Sequence, residues 1–200
     1  MHERYEYRTI RIERGAWPPV AAAVSALDLA EAGGALFGLW RGEIGWWNDE
    51  GAVMTSWTSA PVHELLDGLP GVLDSTVERV EATVRPVEPE PPTTDGVYAH
   101  RWFEVAADDV DEFIELSTGA WPDFERAHDG TEVIGLFRGV DDPGRLLLLT
   151  RYASLAMWEQ SRPYNPNPSE GTDAARAKFM RRAELTRRTG VRLSRLVRPA

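Results

Sequence analysis

The chain has 200 residues, a formal net charge of -10, 42% hydrophobic residues and no cysteine. Its apolar content suffices for a packed core, yet no run approaches the roughly 18 consecutive apolar residues of a membrane-spanning helix, so no membrane association is expected. Missing cysteine excludes disulfides, thiol catalysis, iron–sulfur clusters and cysteine-ligated zinc, and the acidic balance argues against nucleic acid as a partner, since that affinity comes from neutralised phosphates.

The first residues, Met1 to Arg4, are charged and run straight into strand-like sequence, which has no signal-peptide pattern and implies a cytoplasmic protein. Residues 5–12 alternate, with Tyr5, Tyr7 and Thr9 on one face and Arg8, Ile10 and Ile12 on the other, which predicts a strand. Pro18 and Pro19 suit the first turn of a helix on which Val20, Val24 and Leu27 share a face, with Gly33 and Gly34 as a stop. Residues 36–41 and 52–58 read as a hairpin around the turn that contains Trp46, Trp47 and Gly51. A short helix over 61–66 and a strand over 77–84 complete the first half.

Residues 87–96 are dense in proline and form a stiff linker between a first unit, 1–86, and a second, 97–200. In the second unit, residues 97–105 form a strand on which Tyr98, His100 and Trp102 alternate with Arg101, Phe103 and Val105. Asp108 is the expected N-cap of a helix whose face carries Val110, Phe113, Ile114 and Ser117, extended by Trp121 and Phe124. Residues 133–138 and 146–152 form a hairpin turning at Asp141 to Gly144. A proline-rich insertion at 162–168 precedes a helix over 173–189, with Ala175, Phe179 and Ala183 inward and most arginines outward; Gly190 ends it before a last strand over 191–197. From Arg176 onward there are nine arginine or lysine residues against one acid, Glu184, so this tail is expected to meet the acidic remainder of the chain.

The two units are copies. Gly38-Leu39-Trp40-Arg41-Gly42 returns as Gly135-Leu136-Phe137-Arg138-Gly139, Tyr5-Glu6-Tyr7-Arg8 as Tyr98-Ala99-His100-Arg101, and Val84-Arg85-Pro86 as Val197-Arg198-Pro199. A repeat near a hundred residues is domain-sized rather than a solenoid unit. The fold class is therefore α+β: two ferredoxin-like βαββαβ repeats whose bare sheet faces pair within one chain. Pairing them removes apolar surface from water at roughly 25 cal/mol per Å², and any homodimer must then use an outer surface.

Tyr-x-x-Arg in the first strand, the Gly-Leu-aromatic-Arg strand, the run Tyr152-Ala153-Ser154-Leu155-Ala156-Met157-Trp158-Glu159 and the terminal Leu196-Val197-Arg198-Pro199 resemble the NIPSNAP family of the dimeric α+β barrel superfamily. The likeness is stronger in the second copy. The first has Pro61-Val62-His63 where the family-like run would continue, and lacks the long second helix. The resemblance implies a barrel with a pocket, but not one reaction, because the superfamily includes cofactor-independent monooxygenases, haem-handling enzymes and proteins without an assigned role.

His100 is the candidate general base or, more simply, a core histidine satisfied by its neighbours. Tyr7, Trp40, Trp57, Tyr98, Trp102, Phe137 and Tyr152 are the expected ligand-binding walls, since aromatic surfaces around a few polar groups suit a flat organic molecule. His63 and His128 lie near helix or turn ends without a second ligand at metal spacing, so no metal is expected, and Asp129-Gly130 places His128 in an exposed turn. No cofactor is expected, except that haem needs one axial histidine and a dry cavity and stays open. Arg8, Arg101, Arg41 and Arg138 recur at repeated positions and are expected in ion pairs, with binding of a substrate carboxylate as their functional alternative. The single lysine, Lys178, on a basic helix makes Schiff-base chemistry unexpected, and no phosphate-binding glycine motif is present. Two classes stay open: a protein that binds a small aromatic or hydrophobic ligand in the barrel, or a monooxygenase-like, cyclase-like or haem-binding enzyme.

Overall fold

The structure, a computed structural model, describes residues 4–61, 65–162 and 173–198. Eight strands lie in it: β1 (Arg4–Ile12), β2 (Gly34–Ile44), β3 (Glu50–Trp57), β4 (Val72–Ala82), β5 (Val97–Val105), β6 (Thr131–Gly139), β7 (Arg145–Tyr152) and β8 (Thr186–Leu196). They close into one antiparallel barrel in the order β1-β3-β2-β8-β5-β7-β6-β4. Each half supplies four neighbouring strands, and the halves meet at two seams, β2 with β8 and β4 with β6. The arrangement repeats about a pseudo-two-fold axis. Arg8 lies opposite Val53 and Val77, and Arg101 takes the same place opposite Leu148 and Val191. Barrel closure within one chain agrees with the expected α+β duplication.

Alternation along the strands sorts side chains into a lumen and two outer layers. Tyr5, Tyr7, Phe37, Trp40, Met54, Tyr98, Phe137, Leu147 and Leu149 fill the lumen. Ile10, Ile12, Leu39 and Val53 pack outward under helix α1 (Trp17–Ser25). Phe103, Val105, Leu136 and Leu146 pack outward under α2 (Val110–Ala127), which itself rests on α4 (Asp173–Leu185). A short α3 (Leu155–Gln160) follows β7, with Ser154 accepting from the Met157 backbone N–H as its N-cap.

Several expectations are corrected. Asp108 does not cap α2: residues 107–109 form a single 3-10 turn, and no side chain caps the helix that starts at Val110. The last helix stops at Leu185 rather than running to 189, and Gly190 sits inside β8 opposite Trp102. Ladder hydrogen bonds to β5 outweigh the helix preference of the arginine-rich stretch 186–189. On α4 Ala183 is exposed rather than inward, while Arg182 takes the inward position over the rings of Phe103, Phe113 and Phe179. That follows from the i, i+3, i+4, i+7 row 175, 178, 179 and 182. Burial pushes the Arg182 guanidinium down to about 10. His128 is buried rather than exposed, because its Nδ1 lies 2.8 Å from the Phe124 carbonyl oxygen and its ring packs on Phe124. Residues 65–68 are turn rather than helix; the rest of the expected first-half helix at 62–64, His63, and the insertion at 163–168 lie outside the described residues.

The basic tail does meet carboxylates. Arg181 binds Glu112 and Glu184, Arg195 binds Glu43, and Arg198 lies 3.1 Å from Asp95. Of the four repeated arginines, Arg8 pairs with Glu6 at 2.7 Å in the buried outer layer and Arg138 with Glu81 at 2.5 Å across the β4–β6 seam. Among the described residues no helix is long and apolar enough to cross a membrane.

Candidate functional site

The lumen holds a chain of hydrogen bonds that ties the halves together. Tyr7, on β1, places its hydroxyl 3.0 Å from Nδ1 of His100 on β5, and Nε2 of His100 lies 2.7 Å from Oγ of Ser194 on β8. The Ser194 hydroxyl is 3.4 Å from the Tyr98 carbonyl oxygen. A consistent direction has Tyr7 donating to Nδ1, Nε2–H donating to Ser194 and Ser194 donating to the carbonyl. His100 is wholly buried, and desolvation with the nearby Arg192 charge pushes it down to about 3, so it stays neutral near pH 7. Burial raises the Tyr7 phenol well above its ordinary range. Both His100 nitrogens are thus occupied. The ring does not fit an axial haem ligand, and as a general base it would first have to lose the Tyr7 bond.

Above this chain the barrel opens at one end into a cavity of about 690 Å³. Trp102 forms part of its wall, with Arg145 4.3 Å over the indole centroid and the Tyr7 ring in an edge-on contact at 5.4 Å. Arg145 is held by both Glu78 carboxylate oxygens, Nη2 at 2.9 Å from Oε1, in a two-pronged bridge from β7 to β4 across the lumen. Arg188 lies 3.6 Å from Glu104 at the rim. Trp46, from the β2–β3 turn, packs against the lumen 5.8 Å from the His100 ring, and Arg192 stacks on it at 4.8 Å. The aromatic interior is therefore roofed by arginines, with threonines Thr9 and Thr76 on the cavity wall.

The sequence-derived candidates separate into two groups. Tyr7, Trp40, Tyr98, His100, Trp102 and Phe137 all point into the lumen, as the alternation of β1 and β5 requires. Of these Trp102 reaches the open cavity, whereas Trp40, Tyr98 and Phe137 are buried in the plug below it. Trp57 and Tyr152 stand elsewhere. Trp57 shares the parity of Val53, and its Nε1 donates to Thr55 at 2.8 Å in the outer layer. Tyr152 packs outside with Val97, Ala99 and Leu193 beside Trp158. Neither is a wall of the lumen, because each lies an odd number of residues from its strand's inward positions. Arg145, Arg192, Glu78 and Trp46 also stand at the site, and none of them is among the sequence-derived candidates. Period-two counting through β8, from Ser194 back to Arg192, is the signal that finds the second of these.

No family model matches the chain, and no curated protein matches it. Solved structures do. A "putative monooxygenase" from Lactobacillus acidophilus NCFM superposes with a TM-score of 0.70 at 12% identity, covering 100% of this chain and 95% of that one. A second protein of that description, from Fusobacterium nucleatum, gives 0.65 at 8% identity over 98% and 93%. An "anthrone oxidase-like protein" gives 0.64 at 10% identity over 99% and 92%. At such identities the likeness speaks for the fold, and the NIPSNAP resemblance is carried by the sequence motifs alone. The protein thus has the dimeric α+β barrel fold, with two ferredoxin-like halves joined in a single chain.

Proposed function

We propose that the protein binds a small, flat organic molecule at the open mouth of the barrel, with Trp102 as its aromatic wall and Trp46 beside it under Arg192. The observation that carries this reading is the 690 Å³ cavity with Trp102 in its wall, beneath strand-borne arginines. That volume falls in the usual range for ligand sites, and convergent polar groups on an aromatic base are what such sites present. The lumen below is filled by the side chains around Trp40, Phe137 and Tyr98, so the ligand sits above the plug and not within it. Kinship to NIPSNAP-like proteins, drawn from the motifs, fits a barrel with a pocket.

The test is native mass spectrometry of the protein incubated with 1-naphthol and 1-naphthoate. A one-to-one complex, weakened when Trp102 is replaced by Ala, is expected. A complex indifferent to Trp102→Ala, or none with either compound, overturns the reading.

A second reading adds oxygenation of the bound molecule, favoured by the names of the structures that share the fold. Oxygen uptake in the presence of anthrone would support it. Binding without uptake would leave the protein a binding module.

A further inference from the structure

Four arginines line the mouth, and their partners differ. Arg145 is clamped by Glu78. Arg188 lies 3.6 Å from Glu104. Arg11 makes no ion pair among the described residues, but it sits in register between Asp74 on β4 and Glu50 on β3, with an acid on either side. Arg192 has a neutral cross-strand neighbour, His100, and its contact is the Trp46 ring at 4.8 Å. Among the described residues it makes no ion pair. Lying over the indole restrains the guanidinium without using its N–H groups, which stay available to bind. Its charge is felt at the bottom of the site as well, where it disfavours protonation of His100 and favours ionisation of Tyr7.

From this difference we infer that the ligand is an aromatic or otherwise planar anion, most simply a carboxylate, gripped by Arg192 while its ring lies on the Trp46 and Trp102 side of the cavity. The inference rests on the binding reading above and names the chemistry of that ligand. Mouth charges as a whole are balanced, with Arg11, Arg145, Arg188 and Arg192 facing Glu50, Asp74, Glu78 and Glu104. Anion preference therefore comes from one uncompensated, pre-oriented fork and not from a general positive field. A ligand without the anion would leave this fork to water, and a cation would be repelled by it.

The experiment compares 1-naphthoate with 1-naphthamide, which share ring and size, by titrating the tryptophan fluorescence of wild type, Arg192→Gln and Arg192→Lys at low ionic strength. A charge-assisted hydrogen bond should give naphthoate an advantage of about tenfold or more in Kd. Arg192→Gln should abolish it while keeping naphthamide affinity, and Arg192→Lys should restore part of it. Added salt should narrow the gap in wild type, since the site is open to solvent. Equal binding of the two probes, or a preference that survives Arg192→Gln, overturns the anion inference and leaves the mouth-binding reading standing. Failure of both probes to bind any of the three proteins overturns the inference together with that reading.

Discussion

His100 pairs with Tyr7 and Ser194 across the lumen, and its burial couples its protonation to unfolding. The folded-state value of about 3 lies below the ordinary histidine value of 6.5. Above pH 6.5 neither state takes up the proton; as pH falls from 6.5 the unfolded chain binds one that the folded barrel refuses, so stability is lost as pH drops towards 3. Between pH 6.5 and 4.5 the loss from this group should be on the order of 2–3 kcal/mol. Chemical denaturation of wild type and His100→Gln at both pH values should show the variant less stable at pH 6.5 and less acid-sensitive below it. Parallel losses in the two proteins would mean that His100 titrates normally. At this scale the sequence was partly readable. Alternation in β1 and β5 was enough to send Tyr7, His100 and Trp102 inward. It could not say that Trp40, Tyr98 and Phe137 are sealed below the cavity, because depth along a barrel depends on where the neighbouring strands start. Arg145 and Glu78 meet across 67 positions of sequence, a pairing that closure alone creates.

The repeated Gly-Leu-aromatic-Arg-Gly element has a steric reason. In β2, a Cβ on Gly38 would stand 2.1 Å from the ring of Trp40, and in β6 a Cβ on Gly135 would stand 2.7 Å from that of Phe137. Each glycine makes room for the aromatic two residues later on the same lumen face, beside a register shift that both strands share, between Leu36 and Gly38 and between Val133 and Gly135. Gly38→Ala should therefore cost about 1–3 kcal/mol by forcing the Trp40 indole off its position. Thermal or denaturant unfolding reads this directly, and an unchanged midpoint would show that the plug has slack. This element was legible as a repeat, and its place in a buried strand followed from its apolar run. The boundary of α4 and β8 was not, since residues 186–189 look helical until β5 offers them a ladder.

Across the whole molecule, the two halves are held by unequal means. The β4–β6 seam pairs three residues of each strand, Val80 to Ala82 with Phe137 to Gly139, and Arg79–Asp141, Arg138–Glu81 and Arg145–Glu78 all run from β4 into the second half. The first of these pairs is largely exposed and contributes little. The continuous lumen cluster, drawn from both halves, stabilises their union more, because its apolar side chains leave water altogether. Filling the lumen is also what moves the candidate site to the mouth, and the repeat in the sequence could not show this, because each copy read alone presents the same aromatic face as an open wall. Everything proposed for the ligand depends on that location. The most direct test follows the indole N–H signals of the eight tryptophans in a nitrogen-labelled sample, assigned by single Trp→Phe variants, during addition of 1-naphthoate. Binding at the mouth should move Trp46 and Trp102 and leave Trp40, Trp57 and Trp121 in place. Largest shifts at the buried Trp40, or no saturable shift at all, would contradict it.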